Sequence, residues 1–171
     1  MAEQKTLVVY YSRSGTTRRI AEALANTLYA DTEEIVATRD HAGLLGYMRS
    51  VIEARWRTAA AIGAVRKDPA AYDLVVIGTP VWAWSLSSPV RAWLAANRQR
   101  LPKVAFFCTL GGAGSDKAFA QMQEVAGKAP RACLAVTAAD VAAGRYAASL
   151  AQFAATLEPV RIATPLTVAA R

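Results

Sequence analysis

Short apolar runs alternate along the chain with longer stretches whose apolar residues recur every three or four positions. The runs are Leu7-Val8-Val9-Tyr10-Tyr11, Glu34-Ile35-Val36-Ala37, Leu74-Val75-Val76-Ile77, Val104-Ala105-Phe106-Phe107-Cys108 and Ala132-Cys133-Leu134-Ala135-Val136. Continuous runs rich in Val, Ile and Phe read as strands covered on both faces, the setting of a parallel sheet between helix layers. The run from Glu34 is shorter and begins polar, which predicts an edge strand.

The stretches between the runs read as helices. Thr16 to Tyr29 places Ile20, Ala21, Leu24 and Leu28 on one stripe. Leu44 to Ala61 does the same with Leu45, Met48, Ile52 and Trp56. A third helix opens at Ser88-Pro89, with Ser88 as N-cap, and carries Val90, Trp93 and Leu94. Ser115-Asp116 caps a fourth, carrying Phe119, Met122 and Val125. A fifth runs from about Gly144 to Leu157 with Tyr146, Leu150, Phe153 and Leu157. Five strands and five helices in alternation predict an α/β doubly wound sheet with helices on both faces. The 171 residues suit a single domain over 1–171. The tail from Glu158 to Arg171 is expected on the surface or against a partner.

Composition narrows the functional classes. Hydrophobic residues make up 54% and charged residues 19%, which excludes a disordered chain. Only two cysteines, Cys108 and Cys133, and one histidine, His41, are present. That argues against a disulfide scaffold, a zinc cluster and Ser-His-Asp chemistry. Both cysteines lie in apolar runs and read as buried free thiols of a reducing compartment. With no signal-peptide pattern and no 18-residue apolar stretch, the cytoplasm is the expected location. Lys plus Arg is 20 and Asp plus Glu 13, so the net charge is +7. The charge is spread along the chain without an aromatic-basic run, so neither nucleic acid nor membrane is expected as a partner.

In an open α/β sheet, ligands sit beyond the carboxyl ends of the strands. After the first strand, Ser12-Arg13-Ser14-Gly15-Thr16-Thr17 leads straight into a helix. Hydroxyls and a glycine around a helix N-terminus suit a phosphate. The loop has neither the lysine of a nucleoside triphosphate loop nor the G-x-G-x-x-G spacing of a dinucleotide site, and a merely capped helix remains the plain alternative. After the third strand, Gly78-Thr79-Pro80-Val81-Trp82-Ala83-Trp84-Ser85 puts two tryptophans in a loop, which suits a stacking planar ligand or a partner, unless both rings fold into the core. After the fourth, Thr109-Leu110-Gly111-Gly112-Ala113-Gly114-Ser115 carries three glycines in four residues, a close approach of backbone to a ligand or a plain flexible turn. If the strand order is 2-1-3-4-5, the three loops converge around one crevice, the setting for a phosphorylated planar ring.

On these residues the sequence resembles the flavodoxin family over nearly its whole length. Ser12, Ser14, Gly15 and Thr17 match the family's phosphate loop [ST]-x-[ST]-G-x-T. The segments Tyr72 to Trp82 and Phe107 to Gly112 match its other two loops. The resemblance implies a flavodoxin-like sheet of order 2-1-3-4-5 of the short-chain type and non-covalent binding of FMN. It places the 5′-phosphate on Ser12, Arg13, Ser14, Gly15, Thr16 and Thr17. Pro80, Val81, Trp82 and Ala83 would line one side of the isoalloxazine, and Thr109, Leu110, Gly111 and Gly112 the other. No catalytic side chain and no metal are expected, since the flavin carries the chemistry.

Two departures from the family pattern stand out. The family's electron carriers are acidic, whereas this chain is +7 with Arg13 and Arg91 in or near the loops; a positive field favours the anionic reduced flavin and makes it less reducing. The family often has a glycine in the loop after strand three, where a peptide flip stabilises the one-electron state. Here no glycine lies between Gly78 and Gly111, so a flip needing positive φ is costlier and electrons are expected to move mainly in pairs. Three functions stay open: an electron carrier docking to a redox partner protein, an oxidoreductase passing hydride from NAD(P)H to a quinone or other small acceptor, and a binding module without flavin. The crossover Arg39 to Pro69, with Arg49, Arg55, Arg57, Arg66 and Lys67, is longer than a simple connection. It reads as an ordinary helix with a solvated basic face, or as a homodimer surface or a lid.

Overall fold

The structure is a computed structural model and describes residues 4–37, 62–63 and 66–157. The expected helix 44–61 with Trp56, the residues His41, Arg49, Arg55 and Arg57, and the tail after Leu157 lie outside the described residues.

Strand β1 (Thr6–Tyr10) is buried at every position and leads into helix α1 (Thr16–Leu28). Strand β2 (Asp31–Glu34) follows, and then β3 (Leu74–Trp82), the short β4 (Ser85–Leu86) and helix α2 (Ser88–Asn97). Strand β5 (Lys103–Leu110), helix α3 (Ser115–Ala126), strand β6 (Cys133–Thr137) and helices α4 (Ala138–Ala143) and α5 (Ala147–Leu157) complete the order. The parallel sheet runs β2-β1-β3-β5-β6. That is the expected 2-1-3-4-5 arrangement, with β4 as an extra strand pairing antiparallel to the end of β3.

Two apolar layers sandwich the sheet because alternate strand residues face opposite sides. On one side Val8, Tyr10, Val76, Ala105 and Phe107 meet Ile20, Leu24, Leu150, Phe153 and Leu157 of α1 and α5. On the other Leu7, Val9, Val75, Ile77 and Phe106 meet Val90, Trp93 and Leu94 of α2 and Met122 of α3. Each fully buried side chain of this size contributes roughly 1.5–3 kcal/mol relative to exposure. The helical stripes read from the sequence are the buried faces, with Leu28, Phe119, Val125 and Tyr146 half-buried at their margins.

Several boundaries differ from the sequence reading, each for a local reason. The edge strand β2 is Asp31–Glu34, four residues with no apolar side chain, so its strand character was hidden. Of the expected run, Glu34 is the last residue of β2 and Ile35 extends the pairing through its N–H to Tyr10 O at 2.7 Å. The fifth helix, expected from about Gly144, is α5 and starts at Ala147, and the short helix α4 before it, which the sequence pattern did not reveal, is ended by Gly144 at φ 69°. The N-cap of α2 is Ser87, which puts Ser88 and Pro89 inside the first turn. The N-cap of α3 is Gly114 rather than Ser115. Cys108 is buried as expected, but Cys133 is exposed, since β6 is an edge strand that buries only every second residue.

Candidate functional site

The carboxyl ends of β1, β3 and β5 are neighbours in the sheet, so the three loops chosen from the sequence lie side by side. The register is tight: Tyr10 pairs with Gly78, Gly78 with Phe107, and Pro80 with Thr109. Gly78 has to be glycine here. A Cβ on it would lie 1.9 Å from Phe107 Cζ, and the Phe107 ring is fully buried.

The first loop folds around the start of α1. Gly15 takes φ 88°, a left-handed conformation suited to glycine. Ser12 Oγ accepts the backbone N–H of Gly15 at 3.1 Å and of Arg18 at 3.2 Å. A helix start leaves its early N–H groups without intrahelical acceptors. With Arg18 N–H taken by Ser12, those of Thr16 and Thr17 are left for a ligand at the positive end of the helix. Arg13 and Ser14 are exposed, and Ser14 Oγ lies 3.2 Å from Thr16 Oγ1. No carboxylate occurs from Ser12 to Thr17. These are the donors and the charge that a phosphate needs.

The Thr17 side chain does a different job. It is buried, and its Oγ1 lies 2.7 Å from Thr109 Oγ1, tying the start of α1 to the end of β5. The neighbouring Arg18 reaches Glu34 Oε1 at 2.7 Å. Burial, and then Glu34, push the Tyr10 hydroxyl above its ordinary value.

The second loop is a hairpin, which the sequence did not announce. Trp82 pairs with Ser85 and Val81 with Leu86, leaving Ala83 and Trp84 as a two-residue turn. Both have positive φ, 47° and 58°. That is the sign pattern of a type I′ turn, usually filled by Asn-Gly, and each L residue held there costs roughly 1–2 kcal/mol. The glycine-free loop therefore already holds the strained backbone that the sequence suggested it would avoid. Trp82 is half-buried with its edge against Tyr11, ring centroids 5.6 Å apart at 88°. Trp84 is 62% exposed and packs on Gly114, where a Cβ would come within 2.6 Å of Trp84 Cδ1. The paired rings foreseen from the sequence thus part company: one leans on β1, the other covers the start of α3. Pro80 and Val81 are half-buried and Ala83 is exposed.

In the third loop Thr109 and Leu110 are still strand, with buried side chains. Gly111, Gly112 and Ala113 are exposed, and the two glycines have open space where a Cβ would stand. A flat group between this loop and the hairpin would meet backbone on one side and Trp82 on the other. Residues the sequence did not single out complete the support. Thr79 Oγ1 accepts Ser87 N–H at 3.0 Å and lies 3.1 Å from Ser87 Oγ, both residues fully buried. Arg91, expected near the ligand, is buried in α2 and donates from Nη2 to Gln121 Oε1 at 3.1 Å.

Among the described residues no group of three His, Cys, Asp or Glu could hold a metal, and no helix is long and apolar enough to cross a membrane. The free N–H groups and hydroxyls at the start of α1 and the exposed Gly111 and Gly112 suit the phosphorylated planar ring that the sequence reading anticipated.

Comparison with known proteins agrees. No protein of curated function matches the chain. Among solved structures it is similar to a flavoprotein in complex with FMN from Lactobacillus acidophilus NCFM, at 22% identity and TM-score 0.70 over 84% of this chain and 98% of that one. It is also similar to a flavoprotein from Bacteroides uniformis, at 22% identity and TM-score 0.72 over 88% and 97%. Two-electron reduced Megasphaera elsdenii flavodoxin matches at 14% identity and TM-score 0.55 over 88% and 98%. At these identities the likeness speaks for the fold. A family model described as flavodoxin matches residues 5–137, most of the chain. With the strand order, the Ser12–Thr17 loop and the two facing loops in place, the chain belongs to the flavodoxin family.

Proposed function

We propose that this chain is an FMN-binding redox protein that transfers electrons through a non-covalently held flavin. One observation carries the reading: α1 starts with uncapped N–H groups at Thr16 and Thr17 among the hydroxyls of Ser12, Ser14 and Thr16, at the sheet edge where the end of β3 (Pro80) pairs beside the end of β5 (Thr109), next to the exposed Gly111 and Gly112. Ser12, Arg13, Ser14, Gly15, Thr16 and Thr17 hold the 5′-phosphate. Pro80, Val81, Trp82 and Ala83 form one wall for the ring, and Thr109, Leu110, Gly111 and Gly112 the other, with Thr109 and Leu110 contributing backbone because their side chains are buried. The bound flavin supplies the capacity to take up and release electrons. The protein positions it, keeps carboxylates away and holds Arg13 at the phosphate end. The net charge of +7 favours the reduced, anionic flavin and makes it less reducing than in an acidic carrier.

Two partner classes divide the reading: a redox partner protein, or NAD(P)H with a small acceptor such as a quinone. The exposed Trp84 ring of the hairpin turn favours the second slightly, as a surface for a further planar group. Neither nucleic acid nor membrane is a partner in this account, and a homodimer is compatible with it. The two free thiols Cys108 and Cys133 suit a reducing compartment, the cytoplasm.

The test is a visible spectrum during FMN addition, followed by stopped-flow mixing with NADPH or NADH. Saturable binding of one FMN per chain supports the reading. Rapid bleaching then assigns the oxidoreductase, and no bleaching without a partner reductase assigns the carrier. A chain that leaves the FMN spectrum unchanged would be a binding module without flavin.

A further inference from the structure

The hairpin Trp82–Ser85 is a poor structure by its own chemistry. Its ladder has two residue pairs, and its turn places alanine and tryptophan in a backbone region that favours glycine. An isolated two-stranded hairpin is marginal in water even with a good turn. Something outside it must hold it, and the holding residues lie on one face of α3.

Gly114, Ala118 and Gln121 follow one another at spacings of four and three, which brings them onto one side of the helix. Trp84 packs on Gly114 at the top. Two turns further, Gln121 is 6% exposed and both ends of its amide bond neighbouring elements. Its Oε1 accepts Leu86 N–H at 3.2 Å and Arg91 Nη2–H at 3.1 Å, and its Nε2 donates to Ser85 Oγ at 3.2 Å. One side chain thereby joins β4, α2 and α3 in a buried setting, where each lost partner strands another. The Gly-rich loop 111–114 runs directly into the same helix. Both walls of the cleft are thus attached to α3, one through the chain and one through Gln121 and Trp84.

We infer that Gln121 is a positioning residue for the cofactor site: it fixes the strained hairpin against α3 and so sets the width of the cleft between Trp82 and Gly111–Gly112. This rests on the flavin reading for its functional consequence, while the holding of the hairpin does not.

The experiment has two arms. The first measures amide hydrogen exchange at residues 82–87 in the protein without FMN. The second measures the FMN dissociation constant by flavin fluorescence. Gln121→Leu keeps the volume and removes all three bonds. Gln121→Glu keeps them, because Leu86 N–H, Arg91 Nη2–H and the Ser85 hydroxyl can all donate to a carboxylate. The expectation for Gln121→Leu is exchange about tenfold faster at Leu86 and FMN binding about tenfold weaker. Gln121→Glu should restore the protection. Ser85→Ala, which deletes only one bond, should shift both in the same direction by a few-fold, and it decides the matter if Gln121→Leu does not fold. Unchanged exchange at Leu86 in both deletions overturns the inference. So does wild-type FMN affinity in a variant whose hairpin exchanges faster. If the wild-type chain binds no FMN, the function proposed above fails, and the exchange arm alone decides whether Gln121 holds the hairpin.

Discussion

Adding one methyl group at Gly78 should be among the most damaging small changes in this protein. Gly78 sits in β3 between two aromatic neighbours, Tyr10 on β1 and Phe107 on β5. A Cβ there would stand 1.9, 2.3 and 2.5 Å from three atoms of the Phe107 ring. Ordinary carbon contacts begin near 3.5 Å, so the ring must move by more than 1 Å. It has nowhere to go, being fully buried among Val8, Val76, Leu134 and Phe153. Overpacking of this kind costs typically 1–3 kcal/mol, and occasionally more. We expect Gly78→Ala to lose about 3 kcal/mol, which for a chain this long lowers Tm by roughly 6–12 °C. The mechanism can be separated from a general dislike of the substitution. Phe107→Ala alone should cost about 3–5 kcal/mol by leaving a cavity. In the double variant the added methyl enters the vacated space, so the pair should lose about 1–3 kcal/mol less than the sum of the singles. Urea unfolding followed by far-UV circular dichroism, without added FMN so that ligand linkage does not enter, measures all three. A Gly78→Ala protein within 0.5 kcal/mol of wild type, or strictly additive losses, would mean that the Phe107 ring does not obstruct a side chain at this position.

Three further outcomes follow from the same geometry. Ser12→Ala removes the acceptor of two backbone N–H groups, a cap-like loss of about 1 kcal/mol, and should weaken FMN binding about five- to tenfold in a fluorescence titration; unchanged affinity would mean that the loop is ordered by other contacts. Thr17→Val cuts the 2.7 Å bond to Thr109 and leaves a buried hydroxyl alone, so denaturant unfolding should show a loss of about 1–3 kcal/mol, whereas a neutral result would place the two hydroxyls in water. Burial pushes the Cys108 thiol up to about 12, so at pH 8 it is protonated and a thiol reagent should modify only the exposed Cys133 in the native chain and both on unfolding. Because the folded value lies above the unfolded one, this thiol's contribution to stability is complete below about pH 8.5 and is lost as pH rises towards 12. A Cys108→Ala chain should show a shallower decline over that window.

The parallel core was legible because its strands are buried on both faces, and Val, Ile and Phe runs such as Leu74–Ile77 then have no polar alternation to blur them. The loop from Ser12 to Thr17 stood out because hydroxyls, a glycine and an immediate helix start are unusual in combination, and the structure does start α1 at Thr16. The edge strand β2 was legible in its place but not in its bounds, since Asp-Thr-Glu-Glu carries no apolar signal and is specified by its pairing with Leu7–Tyr10. The β4 hairpin escaped notice for a sharper reason: its turn lacks the Asn or Gly that marks a type I′ connection, and its contacts come from Gly114 and Gln121, far along the chain at α3. Gln121 carries no motif. Only its burial and its three partners distinguish it from any helix glutamine. The charge balance pointed at Arg91 as a site cation, yet Arg91 lies inside the fold on Gln121, which total charge could not reveal.

The central claim is that three loops at one sheet edge form a single FMN site. Amide hydrogen exchange of the wild-type chain with and without saturating FMN tests it directly. The account predicts new protection confined to residues 12–18, 80–84 and 109–114, strongest at the Thr16 and Thr17 amides. Protection that leaves Thr16 and Thr17 unchanged, or that falls elsewhere on the chain, would contradict it.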